Sequence, residues 1–393
     1  MTLLRGMNER QKGSGKSIHR TFYLHHWLGL VTGVFLLVLS ITGSVLVFHH
    51  DIDHAQYAHL STLKAPASEL RIDQSLGRIR QENSGADIRV PGLPEGPLEA
   101  LKYEVRKGST RKWVFVHPET GVELARVERA DRRLVQVLLD MHYNLLSGTP
   151  GKTIILFGGI SLILLTITGF LLYRKSVLKV LAFRQRISFK SRRALFSSLH
   201  RVVGVWSLVF NLLISVTGTY IAFTIVQSAF APAKIAADAL PATVSVDAVL
   251  SQVKRDYPEF EVNYLGLAGN TLSVLGSMSD DPAYYGLTYS NLHVDLSTGE
   301  VKSAVFLRDM PWYKRLVTVL KPLHFGDYAG LWVKLLYSLF GLLPGLLAIS
   351  GFLIWSLRSS NPTERKLGRR KALVNSSPGR PFIKKDKPPF RKV

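Results

Sequence analysis

Four long apolar segments separate the hydrophilic parts of this chain. None of them contains an Asp, Glu, Lys or Arg, and they cover residues 27–48, 153–173, 202–226 and 335–357. A helix rises about 1.5 Å per residue, so each segment is long enough to cross the roughly 30 Å hydrocarbon core of a bilayer. Lipid offers no partner for an unpaired amide, and each segment is therefore predicted to be a transmembrane helix.

The segments that flank these helices on one side carry the surplus positive charge. Lys and Arg number five in residues 1–21, eight in 174–193 and twelve in 358–393, against three acidic residues in total, which accounts for the whole net charge of +22. The positive-inside rule therefore predicts a bacterial inner-membrane protein with both termini in the cytoplasm. The basic rim is expected to meet anionic lipid, and no nucleic-acid partner is predicted.

The two long hydrophilic loops on the other side have the patterns of small folded domains. Residues 112–124 and 292–302 alternate apolar and polar side chains around a Thr-Gly pair, which predicts hairpins. Residues 72–81 and 246–257 have a helical period. Each loop is therefore predicted to be an α+β domain outside the membrane.

These observations predict the following organisation of the chain. The segments are a cytoplasmic N-terminus (1–21), transmembrane helix 1 (22–50), the first outer domain (51–150), transmembrane helix 2 (151–174), a basic cytoplasmic loop (175–198), transmembrane helix 3 (199–227), the second outer domain (228–332), transmembrane helix 4 (333–358) and a basic cytoplasmic tail (359–393) that is predicted to be disordered from Asn361. The first helix is predicted to be retained, because its apolar run is too long for a signal-peptide core.

An internal repeat relates the two halves of the chain. At a constant offset of 175 residues, Leu24-His25 and Thr42-Gly43 around helix 1 match Leu199-His200 and Thr217-Gly218 around helix 3. At an offset of 182, His142 and Thr168-Gly169 match His324 and Ser350-Gly351. The fold class predicted is a mainly α membrane protein of two parallel repeats. The recurring glycines are interpreted as close helix contacts and nothing more; they are Gly33, Gly43, Gly158, Gly169, Gly218 and Gly351.

Four histidines obey this repeat. His25 and His200 lie at the predicted cytoplasmic ends of helices 1 and 3, and His142 and His324 precede helices 2 and 4 on the outer side. The chain has no cysteine, so iron–sulfur clusters and thiolate ligation are excluded. Two facing imidazoles are the natural axial ligands of a b-type haem, and two pairs at opposite depths predict two b haems.

Neighbouring residues leave alternatives open. His26 could replace His25 as the ligand, since adjacent helical residues point about 100 degrees apart, and His49 is a further candidate for the outer haem. Arg20, Arg174 and Arg201 could pair with haem propionates or, more simply, with lipid phosphates. Residues 49–54, with the sequence His-His-Asp-Ile-Asp-His, place His50, Asp51 and His54 where they could bind a metal ion outside the membrane, or where they could form a solvated helix extension.

The repeated Leu-His and Thr-Gly pattern, with Val-His-Pro-Glu-Thr-Gly (116–121) and Val-Asp-Leu-Ser-Thr-Gly (294–299) in the loops, resembles the PepSY-associated transmembrane proteins, also called iron-regulated membrane proteins. The resemblance covers roughly residues 19–357 and is strongest to inner-membrane ferric-siderophore reductases. It implies two periplasmic PepSY-like α+β domains, two b haems on His25, His200, His142 and His324, and delivery of an electron to siderophore-bound Fe(III) in the periplasm.

The leading hypothesis is therefore a di-haem ferric-siderophore reductase that releases Fe(II). No dinucleotide fingerprint or complete phosphate-binding loop is present, so a quinol, a partner reductase or a soluble donor is expected to supply the electrons. The alternatives are a haem-free PepSY-type binding or regulatory protein and a periplasmic metal-binding protein.

Overall fold

A computed structural model describes residues 2–108, 110–128, 134–231, 244–326 and 328–359, with side chains described from residue 17 to residue 357 within these ranges. The tail predicted to be disordered from Asn361 lies outside the described residues. The helices are α1 (Thr2–Leu46), α2 (His49–Ser61), α3 (Asp73–Glu82), α4 (Leu134–Asn144), α5 (Gly148–Tyr173), α6 (Val177–Leu181), α7 (Arg192–Trp206), α8 (Leu208–Phe230), α9 (Val246–Asp256), α10 (Trp312–Phe325), α11 (Gly330–Gly341) and α12 (Leu343–Ser359). The strands are β1 (Asp87–Val90), β2 (Leu101–Lys107), β3 (Thr110–Val116), β4 (Glu123–Glu128), β5 (Phe260–Ala268), β6 (Thr271–Met278), β7 (Ser290–Asp295) and β8 (Val301–Val305).

The prediction of four membrane-spanning helices is confirmed. The apolar spans are Ser17–Leu46, Gly148–Leu181, Leu208–Phe230 and Gly330–Leu357. In the bundle, α1 packs against α5 and α12, α5 packs against α8, and α12 packs against α7. This chain is therefore a membrane protein with a four-helix transmembrane bundle.

Two of the spans are interrupted. The third apolar run begins at residue 202 in the sequence, but α7 ends at Trp206 and α8 starts at Leu208, with Ser207 between them. The fourth is divided between α11 and α12 at Leu342, two residues before Pro344. Proline lacks an amide hydrogen and its ring disturbs the preceding turn, so the break at this place agrees with the kink expected from the sequence.

The strands of both loops form one antiparallel sheet outside the bundle. Its order is β4-β3-β2-β1-β5-β6-β7-β8. The two loops meet at the centre, where Ile88 of β1 pairs with Leu267 of β5 and Val90 pairs with Leu265. The sequence predicts one domain for each loop, and the structure instead joins them edge to edge. This pairing protects two strands that would otherwise be exposed edges.

One hydrophobic core runs beneath both halves of the sheet. The helices α3 and α9, which the sequence predicts, contribute Leu76, Ile79 and Val249 to it, and the strands contribute buried side chains such as Tyr103 and Leu292. Because side chains alternate between the two faces of a strand, Phe115 lies on the opposite face. There it packs with residues of α2 in a smaller cluster.

The first turns of α3 and α9 cap each other. The carboxylate of Asp73 accepts hydrogen bonds from the amides of Val246 and Asp247, at 3.0 and 3.1 Å. The carboxylate of Asp247 accepts from the amides of Ile72 and Asp73, at 2.8 and 3.1 Å. Helix N-termini leave amides without intrahelical partners, and acidic groups there also complement the helix dipole. The reciprocal caps therefore fix one half of the sheet domain against the other.

Both predicted hairpins are present, as β3–β4 and β7–β8, with their turns at the Thr-Gly pairs. Gly121 has a positive φ of 67°. A Cβ atom there would lie 2.7 Å from the backbone carbon of Gln74. The first turn therefore requires glycine both for its conformation and for its close approach to α3.

Candidate functional site

The four repeated histidines form two facing pairs in the helix bundle. The ring centres of His25 and His200 are 6.2 Å apart, at an angle of 87° between the ring planes. Those of His142 and His324 are 6.4 Å apart, at 50°. We call the first the basic-side pair, because it lies next to the basic segment before α7, and the second the sheet-side pair.

Each histidine is held by a hydroxyl group on a neighbouring helix. Nδ1 of each ring lies 2.9 to 3.1 Å from a Thr or Ser Oγ. The four contacts are His25 with Thr168, His142 with Thr42, His200 with Ser350, and His324 with Thr217. All four hydroxyls come from the Thr-Gly and Ser-Gly pairs that repeat in the sequence.

The hydroxyl groups determine the tautomer of the rings. Each hydroxyl donates its one proton to a carbonyl of its own helix, as Thr168 does to Leu164 at 2.6 Å and Ser350 to Leu347 at 3.1 Å. The same holds for Thr42 and Thr217. The hydroxyl must then accept the hydrogen of Nδ1–H. Nε2 of each histidine is left with its lone pair, which is the state that binds a metal ion.

The glycines after the hydroxyl residues give the rings their space. A Cβ atom would lie 2.9 Å from Cε1 of His142 at Gly43 and 2.7 Å from Cε1 of His324 at Gly218. At Gly169 and Gly351 the corresponding distances, to His25 and His200, are 3.3 and 3.5 Å. The interpretation of these four glycines as helix contacts alone is wrong, because the atoms that they approach belong to the histidines. Gly33 and Gly158 do approach only helix side chains.

The spacing within each pair suits a shared metal ion. With metal–nitrogen bonds of about 2.0 Å and a ring centre about 1.2 Å beyond the nitrogen, two axial imidazoles place their ring centres roughly 6.3 Å apart. The observed 6.2 and 6.4 Å agree with this value. The donor set is two neutral imidazoles with hydrogen-bonded Nδ1 atoms, which is the set that haem iron accepts in a low-polarity bundle.

The basic-side pair lies in a cavity of about 560 Å³ inside the bundle. Its walls are mainly aliphatic and aromatic side chains from all four spans. Two arginines, Arg193 and Arg201, line it on the basic side, and the guanidinium of Arg201 also lies 5.7 Å from the ring centre of Tyr173. An apolar cleft with cationic groups at one end has the shape and charge distribution that suit a planar apolar group bearing carboxylates.

The structure separates the three arginines proposed for propionate contacts. Arg201 lines the cavity, whereas Arg20 and Arg174 are not among the described residues that do so. The sequence analysis did not single out Arg193. Its position two residues after the start of the charged segment 192–193 marks it only as one of many basic residues, so the sequence carries no signal that selects it.

The structure also distinguishes the competing histidines. His25 faces His200, while His26 stacks on Phe22 with ring centres 5.8 Å apart and forms part of the cavity wall. His49 contacts the carbonyl of Leu46 through Nδ1 at 2.9 Å and stacks on His50. Neither His26 nor His49 is placed opposite a second imidazole in one of the two facing pairs.

The acidic and histidine cluster after helix 1 is dispersed in α2. Asp51 accepts a hydrogen bond from Lys334 at 2.7 Å, and this bond holds the pKa of Asp51 below its ordinary value. His54 borders a separate small pocket near Glu99. Within the described ranges, no three His, Asp or Glu side chains converge where they could hold a metal ion. The prediction of a metal site at His50, Asp51 and His54 gains no support from this geometry.

Comparison with known proteins gives two matches. The family model described as the PepSY-associated TM region matches residues 22–358, which include all four histidines and the whole sheet. An uncharacterised protein of Pseudomonas aeruginosa is 26% identical over 262 residues. That match covers 59% of this chain and 66% of the relative, just under two thirds of its length.

Proposed function

Since this chain belongs to the family of proteins with a PepSY-associated transmembrane region, we propose that it is a di-haem b electron-transfer protein that reduces ferric siderophores. In this proposal it lies in the bacterial inner membrane with both termini in the cytoplasm. The bundle is two parallel repeats, the sheet domain is periplasmic, and the reaction is transfer of one electron to Fe(III) in a siderophore, which releases Fe(II) for uptake.

The observation that carries the proposal is the pair of facing imidazoles at each end of the bundle. Both pairs have the ring separation of an axial ligand set, and all four rings are held by a hydroxyl that leaves Nε2 available. Bound between each pair, a b haem would supply a one-electron centre whose potential depends on its bis-histidine ligation and burial.

The two pairs lie at different depths along the same helices. On α1, His25 belongs to the basic-side pair, and Thr42 holds His142 of the sheet-side pair. These two residues are separated by 17 positions, or about 25 Å of helix. The ligand pairs therefore lie near opposite surfaces of the membrane. This arrangement supports electron entry on the basic side and exit towards the sheet domain.

The residues of the chain have separate tasks in this function. The four histidines ligate, their hydroxyl partners fix the tautomer, and the neighbouring glycines leave room for the rings. Arg193 and Arg201 are placed to meet propionates on the basic side. Electron transfer needs no general acid or base, so none is assigned, and the donor is a quinol or a separate reductase.

The test is reoxidation of the chemically reduced protein by a ferric siderophore, followed by stopped-flow absorbance. The account predicts rapid reoxidation with one Fe(II) trapped per electron, and slow reoxidation after His142→Ala or His324→Ala. The matched control is the same siderophore loaded with Ga(III), which has the same charge and cannot be reduced. Reoxidation that is equally fast in the histidine variants would contradict the proposed exit through the sheet-side pair.

A further inference from the structure

The floor of the cavity at the basic-side pair carries a buried amide. Asn211, in the first turn of α8, is 3% exposed and lines the cavity. It follows the break at Ser207 by one helical turn. Broken helices that line a cavity at membrane depth are common places for ligand binding, because the backbone and the polar side chains near the break have partners to gain.

The hydrogen bonds around Asn211 determine how its amide is oriented. Ser207 Oγ donates its proton to the carbonyl of Val203 at 2.8 Å, so it can only accept from the amide nitrogen of Asn211, which lies 3.0 Å away. Oδ1 of Asn211 is buried and has no hydrogen-bond partner among the described residues. An unpaired buried acceptor is costly, and most such groups in proteins are satisfied.

Asn211 lies between the two histidine pairs. It is 11 residues from His200 and six from Thr217, about 16 and 9 Å along the helix axis. The surrounding cavity lining at this end is apolar and includes Leu36, Leu208 and Pro344. At the offset of 175 residues that relates helices 1 and 3, the counterpart of Asn211 is Leu36. The acceptor is therefore present on one side of the cavity only.

We infer that the floor of this cavity binds an O–H donor whose hydrogen is accepted by Asn211 Oδ1. Two molecules share this chemistry, namely a buried water and the hydroxyl of a lipid-soluble quinol. The site itself follows from Asn211 and its cavity and does not require haem. Only the quinol source would rest on the proposed function, in which a quinol is one of the possible electron donors.

The test compares Asn211→Leu, which copies the residue at the counterpart position, with Leu36→Ala, which enlarges the same cavity and keeps the acceptor. Binding of a short-chain ubiquinol is followed by quenching of tryptophan fluorescence, because Trp355 lines the cavity. This readout does not depend on bound haem, so failure of this inference is distinguishable from failure of the proposed function. Soret absorbance and elution from a sizing column check that each variant folds.

Saturable quenching that weakens about tenfold in Asn211→Leu and stays unchanged in Leu36→Ala would establish the quinol source. If the wild-type protein shows no saturable quenching, an experimental density map that resolves ordered water decides the matter. Water within hydrogen-bonding distance of Asn211 Oδ1 would establish the other source. Quinol binding that is equal in the wild-type protein and Asn211→Leu, or a bare Oδ1 in that map, would overturn the inference.

Discussion

Replacing Thr168 by valine should weaken haem binding at the basic-side pair. The substitution keeps the branched shape of the side chain but removes the oxygen that lies 2.9 Å from Nδ1 of His25. The Nδ1–H group is then left without an acceptor in a low-polarity bundle, and His25 loses both its orientation and part of its basicity. Loss of such an outer partner typically weakens metal binding about 10- to 100-fold, which corresponds to about 1.4 to 2.8 kcal/mol.

Thr166 provides the matched control for this prediction. It lies on the same helix, lines the same cavity, and donates its hydroxyl to the carbonyl of Leu162 at 2.7 Å, just as Thr168 donates to Leu164. Thr166→Val therefore removes an equivalent bond to the backbone without touching His25. Thr168→Ser should behave like the wild-type protein, since Ser350 already performs this task for His200.

The assay is transfer of haem from the detergent-solubilised protein to an excess of apomyoglobin, followed by the Soret band. Thr168→Val should lose one of two haems about 10- to 100-fold faster than the wild-type protein, while Thr166→Val should lose neither faster. Equal rates in the two valine variants would refute the assignment of the hydroxyl as the partner of a ligating histidine.

Three further predictions follow from the same structure. Gly218→Ala places a Cβ atom 2.7 Å from Cε1 of His324 and should cost the sheet-side haem, whereas Gly351→Ala, with 3.5 Å to spare, should retain both haems by pyridine haemochrome count. The perpendicular rings of the basic-side pair, against 50° in the other, should give two distinct low-spin electron paramagnetic resonance signals, the larger highest g value belonging to the perpendicular pair. Burial raises the pKa of Asp247, so the folded state retains a proton that the unfolded chain releases; thermal stability should fall as the pH rises through that interval, and Asp247→Asn should remove the slope.

The sequence predicts the bundle well because its signals are local. A run without charges must form a helix in lipid, and a Thr-Gly pair between alternating segments forms a turn with glycine at positive φ. The pairing of His25 with His200 follows from their equal positions in the repeat, which requires only arithmetic on the sequence. Each of these features depends on residues close together in the chain or on a constant offset.

The remaining features depend on contacts between distant residues. Nothing in β1 or β5 indicates that Val90 pairs with Leu265, since their apolar alternation would suit either a central or an edge position. The Thr-Gly and Ser-Gly pairs are visible in the sequence, but which side chain their hydroxyls contact depends on helix rotation. Asn211 and Arg193 follow no period, and their importance comes from the cavity that they line.

Haem stoichiometry in the ligand variants tests the central claim most directly. Purified wild-type protein should contain about two b haems per chain by the pyridine haemochrome assay. His200→Ala and His324→Ala should each contain about one, and the variant with both substitutions should contain none, while His26→Ala retains two. A colourless wild-type protein after haem supplementation, or two haems in both single variants, would contradict the assignment of the facing histidines as axial ligand pairs.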